Sequence, residues 1–182
     1  MIGPSGVGIR SDPPAGPSPS EPSERAEWSG FRPPAVTPDP NEWAAGGTYT
    51  LLIELPTATT IGVGALGEHR FRAGWYAYTG SALGSGGFAR VDRHRELAAG
   101  ERTTRHWHID YVLGRPDATL RDVVTSAGAD VECAVAASLP AGPVDGFGAS
   151  DCGCRAHLAR LAGRDAALSA VRRAHEEAGG WS

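Results

Sequence analysis

The sequence predicts an α/β domain, more narrowly α+β, in which helices pack on a small, mainly antiparallel sheet of three to four strands. Three observations carry this. Residues 48 to 55, Thr-Tyr-Thr-Leu-Leu-Ile-Glu-Leu, set Tyr49, Leu51, Ile53 and Leu55 on one face of an extended segment rich in β-branched and aromatic residues. Two further extended segments follow after short glycine-punctuated connections, and helix-compatible stretches dominate from Phe88 onward. Strands followed by helices in a chain of 182 residues leave room for one ordinary domain.

Each element has its own signal. Gly46 and Gly47 precede the first strand and Pro56 ends it. A second short strand is expected over 60 to 63. A polar connection marked by Gly64, Gly67 and Gly74 leads to a third over 75 to 79, so the three read as an antiparallel meander. Residues 81 to 87 are turn-like. A helix is expected over 88 to 99 with Gly100 behind it, and Arg90 and His94, four apart, project from one face. A second helix is expected over 105 to 113, stopped by Gly114 and Pro116, then a strand over 120 to 125 and an alanine-rich helix over 131 to 139, stopped by Pro140. A Gly-rich loop covers 141 to 150, and closing helices are expected over 154 to 161 and 165 to 177.

The organisation is therefore a tail over 1 to 45, a folded domain over 46 to 162, and a C-terminal helix with a frayed end over 163 to 182. Most of the 14 prolines fall in the tail, among Ser, Gly and Glu, a composition that buries too little apolar surface to offset the entropy of ordering and so predicts disorder. No long apolar run and no basic segment leading a hydrophobic core is present, which predicts no membrane association and a cytoplasmic location. The three cysteines, Cys133, Cys152 and Cys154, are expected to be reduced.

A net charge of −4 argues against a generally basic nucleic-acid binder, yet charge is uneven. All 17 basic residues are Arg, and Arg90, Arg93, Arg95, Arg102 and Arg105 with His94, His106 and His108 outnumber Asp92, Glu96 and Glu101 between Phe88 and His108. Gly80, Ser81, Arg93, Arg105, His106 and His108 are accordingly the candidates for nucleic-acid contact, Arg through its planar fork.

The densest pattern is Gly47-Thr48-Tyr49 opening the first strand, Tyr78-Thr79-Gly80 with Ser81-Ala82 ending the third, and Arg90 with His94 on the following helix. This resembles the GIY-YIG nuclease superfamily, with its Gly-x-Tyr and Tyr-x-Gly strands and an Arg-bearing helix. A closer resemblance covers nearly the whole folded region. It is to an uncharacterised, largely archaeal and bacterial family sometimes fused to endonuclease III-like glycosylases and regarded as a divergent GIY-YIG branch. Its blocks look like residues 76 to 82 (Tyr-Ala-Tyr-Thr-Gly-Ser-Ala), 105 to 111 (Arg-His-Trp-His-Ile-Asp-Tyr), 132 to 134 (Glu-Cys-Ala) and 146 to 158 (Gly-Phe-Gly-Ala-Ser-Asp-Cys-Gly-Cys-Arg-Ala-His-Leu). The gap from Tyr49 to Tyr78 exceeds the superfamily's usual spacing and leaves room for an inserted hairpin.

The resemblance implies a metal-dependent endonuclease acting on DNA, in repair or processing, with a DNA-repair protein as a candidate partner. Tyr49 or Tyr78 would orient or deprotonate the attacking water, Arg90 would hold phosphoryl oxygens with His94 one turn on, and a carboxylate, for which Glu132 is chosen, would anchor Mg²⁺ or Mn²⁺. Each residue also has an ordinary structural reading: strand tyrosines as packing residues, Arg90 and His94 as a solvated helix face, and Glu132 as an acid favoured by a helix N-terminus. His106 and Asp110 fall on one helical face, where the carboxylate can orient an imidazole. Cys152, Cys154 and His157, with Cys133 elsewhere, are candidate Zn²⁺ ligands. Two further readings therefore stay open: a non-catalytic nucleic-acid-binding module and a zinc-stapled structural or partner-binding domain.

Overall fold

The computed structural model describes residues 39–179. Its helices are α1 (Pro40–Ala45), α2 (Ala89–Ala98), α3 (His108–Leu113), α4 (Glu132–Ser138) and α5 (Arg164–Gly179); its strands are β1 (Gly47–Leu55), β2 (Thr59–Gly62), β3 (Glu68–Phe71), β4 (Gly74–Ser81), β5 (Thr119–Ala127) and β6 (Leu158–Leu161). Four strands form an antiparallel sheet in the order β5-β1-β4-β6, and β2 with β3 forms a separate two-stranded hairpin. The expected α+β class is the one observed.

The alternation read from the sequence decides which face each strand residue takes. On one face of the sheet Tyr49, Leu51, Ile53 and Leu55 of β1 and Tyr76 and Tyr78 of β4 are buried with Val91 and Leu97 of α2, Ile109, Val112 and Leu113 of α3, and the hairpin residues Ile61 and Phe71. On the other face Leu52 and Ala77 meet Val135 of α4 and Val171 and Ala174 of α5. The sheet is thus covered on both sides, and β1 is buried along nearly its whole length. A strand flanked on both faces reads as a continuous apolar run with local exceptions, and here the exceptions, Thr48 and Thr50, are buried and hydrogen-bonded.

Several expectations change. β4 pairs directly with β1, Tyr49 opposite Gly80 and Leu51 opposite Tyr78, so the first three extended segments do not make a simple meander; β2 and β3 are an inserted hairpin. β3 was hidden within the polar connection because three of its four residues, Glu68, His69 and Arg70, leave no apolar alternation. The segment expected as a helix over 154 to 161 ends instead in β6, which completes the sheet beside β4, with Leu158 opposite Tyr78. Short apolar stretches do not distinguish helix from strand, and partner pairing decided this one.

Residues 1–38 of the expected tail lie outside the described residues, but its last part is ordered. Asp39 caps α1 by accepting the Asn41 N–H at 2.7 Å, Pro40 opens the helix, and Trp43 packs on Phe88 with ring centroids 5.1 Å apart while its indole N–H reaches Asp92. The C-terminal helix α5, expected to end at 177, runs over Arg164–Gly179 and covers the second sheet face. Among the described residues, no helix is long and apolar enough to cross a membrane.

Candidate functional site

The end of β4, the start of α2, the segment entering α3, the first turn of α4 and the loop before β6 converge on one cleft of about 210 Å³. Tyr78 and Ser81 come from β4 and Arg90 from α2. His106, Trp107 and His108 form a second wall, and Glu132 stands opposite with Ser150 and Asp151. One guanidinium, two imidazoles, a phenol and two carboxylates are therefore gathered from five separated stretches of chain.

Arg90 is held in two ways. It donates to the Ser81 carbonyl at 2.7 Å, and its guanidinium sits 4.7 Å from the centre of the Trp107 ring. Trp107 is also one of the large apolar side chains with substantial exposure, at 36%. His108 is fixed by the Gly148 N–H, which donates to Nδ1 at 3.0 Å; in the neutral ring this leaves the proton on Nε2. Partial burial lowers the His108 pKa and favours that neutral ring.

Gly148 explains how the loop comes so close. Its φ is +73°, and a Cβ there would lie 2.8 Å from Tyr78 Cε2 and 3.2 Å from the His157 Cβ, so a side chain would meet both strain and collision. Tyr78 itself is nearly buried, and burial pushes its phenol far above the ordinary range, with Glu132 adding to the rise and Arg90 opposing it.

Behind the cleft lies a buried polar support. Tyr49 Oη and His94 Nε2 are 2.9 Å apart, and His94 Nδ1 is 3.5 Å from Asp110 Oδ1. A proton on Nδ1, facing the carboxylate, lets Nε2 accept from the Tyr49 hydroxyl. Burial lowers the His94 pKa against the opposing effect of Asp110, and burial raises the Tyr49 pKa well above its usual value. Asp110 is fully buried and accepts from both terminal nitrogens of Arg93, at 3.0 and 2.7 Å, and from the backbone N–H groups of His106 and Trp107, at 2.7 and 3.0 Å. Burial alone would raise its carboxyl pKa; the His94, Arg93 and backbone donors outweigh that and hold it well below the carboxylate range.

The sequence-derived candidates thus divide by position. Tyr78, Ser81, Arg90, His106, His108 and Glu132 line the cleft. Tyr49 and His94 share a hydrogen bond but lie behind it, each 1% exposed. Arg90 and His94 do share a helix face, since both approach Trp107. Gly80 makes room: a Cβ there would lie 2.5 Å from Tyr49 Oη. Arg93 is committed to Asp110, and Arg105 to the Gly114 carbonyl and the Tyr111 ring, so neither lines the cleft. Asp110 engages the residues before α3 through their backbone N–H groups, because His106 precedes the helix rather than sharing a face of it. Trp107, Gly148, Ser150 and Asp151 also line the cleft without having been singled out for it, although all four lie in the blocks 105–111 and 146–158 that carry the resemblance, and an exposed Trp between two histidines was a further signal for the first.

On the far side of Glu132, its Oε1 lies 2.9 Å from His157 Nδ1. His157 in turn belongs to a group with Cys133, Cys152 and Cys154 whose ligand atoms all lie within 4.8 Å of one another, a cluster able to hold a metal ion.

Comparison with known proteins decides the family. The family model for the domain of unknown function DUF123 matches residues 48–180. The chain belongs to the DUF123 family. The match takes in every strand except Gly47 at the start of β1, and α2 to α5, so in this DUF123 chain the cleft, its buried support and the cysteine cluster all fall inside the family domain. No curated protein and no solved structure matches the chain.

Proposed function

We propose that this DUF123 domain hydrolyses phosphodiester bonds in DNA, as a divergent relative of the GIY-YIG nucleases acting in repair or processing. The observation that carries the proposal is the cleft itself, where Arg90, Tyr78, His106, His108 and two carboxylates stand together. Hydrolysis attaches water to phosphorus and breaks the bond to one sugar oxygen. It needs a proton acceptor for the water, positive charge for the phosphoryl oxygens, and a donor toward the departing oxygen.

The side chains divide these tasks by their chemistry. Arg90, pre-positioned by Ser81 and Trp107, binds the phosphoryl oxygens. Tyr78 keeps its proton, because burial raises its pKa, and orients the water or a phosphate oxygen through its O–H. His106 is the imidazole assigned to take the proton from water, and His108, with Nε2 protonated, donates a hydrogen bond to the departing oxygen, which takes its proton from solvent. Tyr49, His94, Arg93 and Asp110 act as positioning residues from behind.

Glu132 and Asp151 offer the hard oxygen donors suited to Mg²⁺ or Mn²⁺, and an ionised carboxylate that accepts one hydrogen bond retains further lone pairs for a cation. Such an ion would supply Lewis-acid stabilisation of the phosphoryl oxygens. Because the chain is net acidic and the cleft sets one guanidinium beside two carboxylates, phosphate affinity would depend on a divalent cation held by those carboxylates together with Arg90, and fall with added salt.

The test is incubation of the full chain, with Mg²⁺ or Mn²⁺, on labelled branched, nicked, abasic and single-stranded DNA. Cleavage of at least one substrate is expected. Salt-dependent binding without cleavage at enzyme excess would replace this reading with a non-catalytic binding module, and neither binding nor cleavage would remove nucleic acid from the account.

A further inference from the structure

We propose that Cys133, Cys152, Cys154 and His157 form a closed four-ligand Zn²⁺ site whose outer partner is Glu132, and that the ion clamps the loop before β6 against α4. Three parts of the chain meet here. Cys133 lies in the first turn of α4, Cys152 and Cys154 lie in the loop, and His157 immediately precedes β6. Their donor atoms all fall within 4.8 Å of one another, although Cys133 and the loop ligands are about twenty residues apart in sequence.

The distances suit a tetrahedron. With Zn–S near 2.3 Å and Zn–N near 2.0 to 2.1 Å, tetrahedral coordination places S and N about 3.6 Å apart. His157 Nε2 stands 3.4 Å from Cys152 Sγ and 3.9 Å from Cys133 Sγ, bracketing that value. The ring is already turned for ligation: Nδ1 lies 2.9 Å from Glu132 Oε1, so a proton there donated to the carboxylate leaves the Nε2 lone pair toward the sulfurs. A carboxylate behind a ligating imidazole is the usual outer shell of a zinc site and sets both its orientation and its basicity. Three thiolates and an imidazole favour Zn²⁺ over hard cations, and four protein ligands leave no open position, so the role is structural rather than catalytic.

The clamp bears on the cleft. The loop it fixes also carries Gly148, which donates to His108, and Ser150 and Asp151, which line the cleft, while Glu132 touches both places. That consequence rests on the hydrolytic reading above; zinc binding does not.

Metal analysis of the full chain purified without added chelator tests the site. One Zn²⁺ per chain is expected, with cobalt substitution giving the intense thiolate-to-metal and tetrahedral d–d absorption of a Cys₃His site. Cys152→Ser and Cys154→Ser should each lose the stoichiometric ion, and Glu132→Gln should retain it with about 10- to 100-fold weaker affinity. The wild-type metal content and cobalt spectrum do not depend on any variant folding. A chain that takes up neither Zn²⁺ nor Co²⁺ and whose three thiols react freely in the native state would overturn the proposal. The two readings fail separately: zinc without cleavage would sink only the hydrolytic one, and cleavage by a zinc-free chain only the clamp.

Discussion

Replacing Asp110 by Asn probes the support that holds the cleft wall. The carboxylate is fully buried and receives four hydrogen bonds, two from Arg93 and two from the backbone N–H groups of His106 and Trp107. Asn keeps one acceptor oxygen and sets an NH₂ group against these donors, while Arg93, whose side chain is 13% exposed, loses its counter-charge. Breaking a buried ion pair by removing one partner costs about 3 to 5 kcal/mol. Against a total stability of about 5 to 15 kcal/mol, that is a large fraction. Urea unfolding followed by circular dichroism should show this loss, with Glu96→Gln, at the half-exposed surface pair with Arg102, costing less than about 1 kcal/mol. The pH dependence has a definite sign. Because the folded carboxyl pKa is depressed, its contribution is complete above the unfolded value of about 3.9 and is lost as pH falls through the folded value. The Asn variant should lack that acid-side loss. A cost for Asp110→Asn no larger than that of the surface control would refute the idea that this cluster holds the wall together.

Three other outcomes follow from the same structure. Gly80→Ala should destabilise the domain by about 1 to 3 kcal/mol in chemical denaturation, because the new methyl displaces the Tyr49 ring that fills the space above Gly80. His175, buried between Thr50 and Ser126, has its pKa lowered by burial to about 4, so stability should decline as pH falls from about 6.5 toward 4, and NMR titration should show this ring still neutral at pH 5.5. Arg90→Ala should reduce cleavage by roughly 10²- to 10³-fold with little loss of stability, read by single-turnover kinetics beside thermal unfolding.

The sheet's principal strands were legible because their alternation is strong: Tyr49 to Leu55 does bury its odd-numbered residues on one face. β3 and β6 were not, since Glu68-His-Arg-Phe71 has no apolar period and Leu158-Ala-Arg-Leu161 is equally compatible with a helix turn. α1 escaped notice because six residues following a proline-rich stretch owe their order to one tertiary anchor, Trp43. At the site, residue type and order found Tyr78, Arg90, His106, His108 and Glu132, but could not separate cleft residues from those behind them. Tyr49 and Tyr78 look equivalent along the chain, yet their registers on adjacent strands leave one beside His94 and the other on the cleft. Likewise Arg90 and Arg93 both stack on Trp107 and differ in what holds the guanidinium, the Ser81 carbonyl for the first and the Asp110 carboxylate for the second. Cys133 was a candidate ligand from residue type alone, but its approach to the loop thiols depends on α4 lying beside the loop, which the spacing did not show.

Arg90 is proposed to stand where a DNA phosphate reacts. The most direct measurement is single-turnover cleavage of the preferred labelled DNA by wild type, Arg90→Ala and Arg173→Ala, the last on the exposed surface of α5 and paired only loosely with Glu177. Cleavage should fall at least about 10²-fold in Arg90→Ala alone. Equal rates for all three proteins would contradict it.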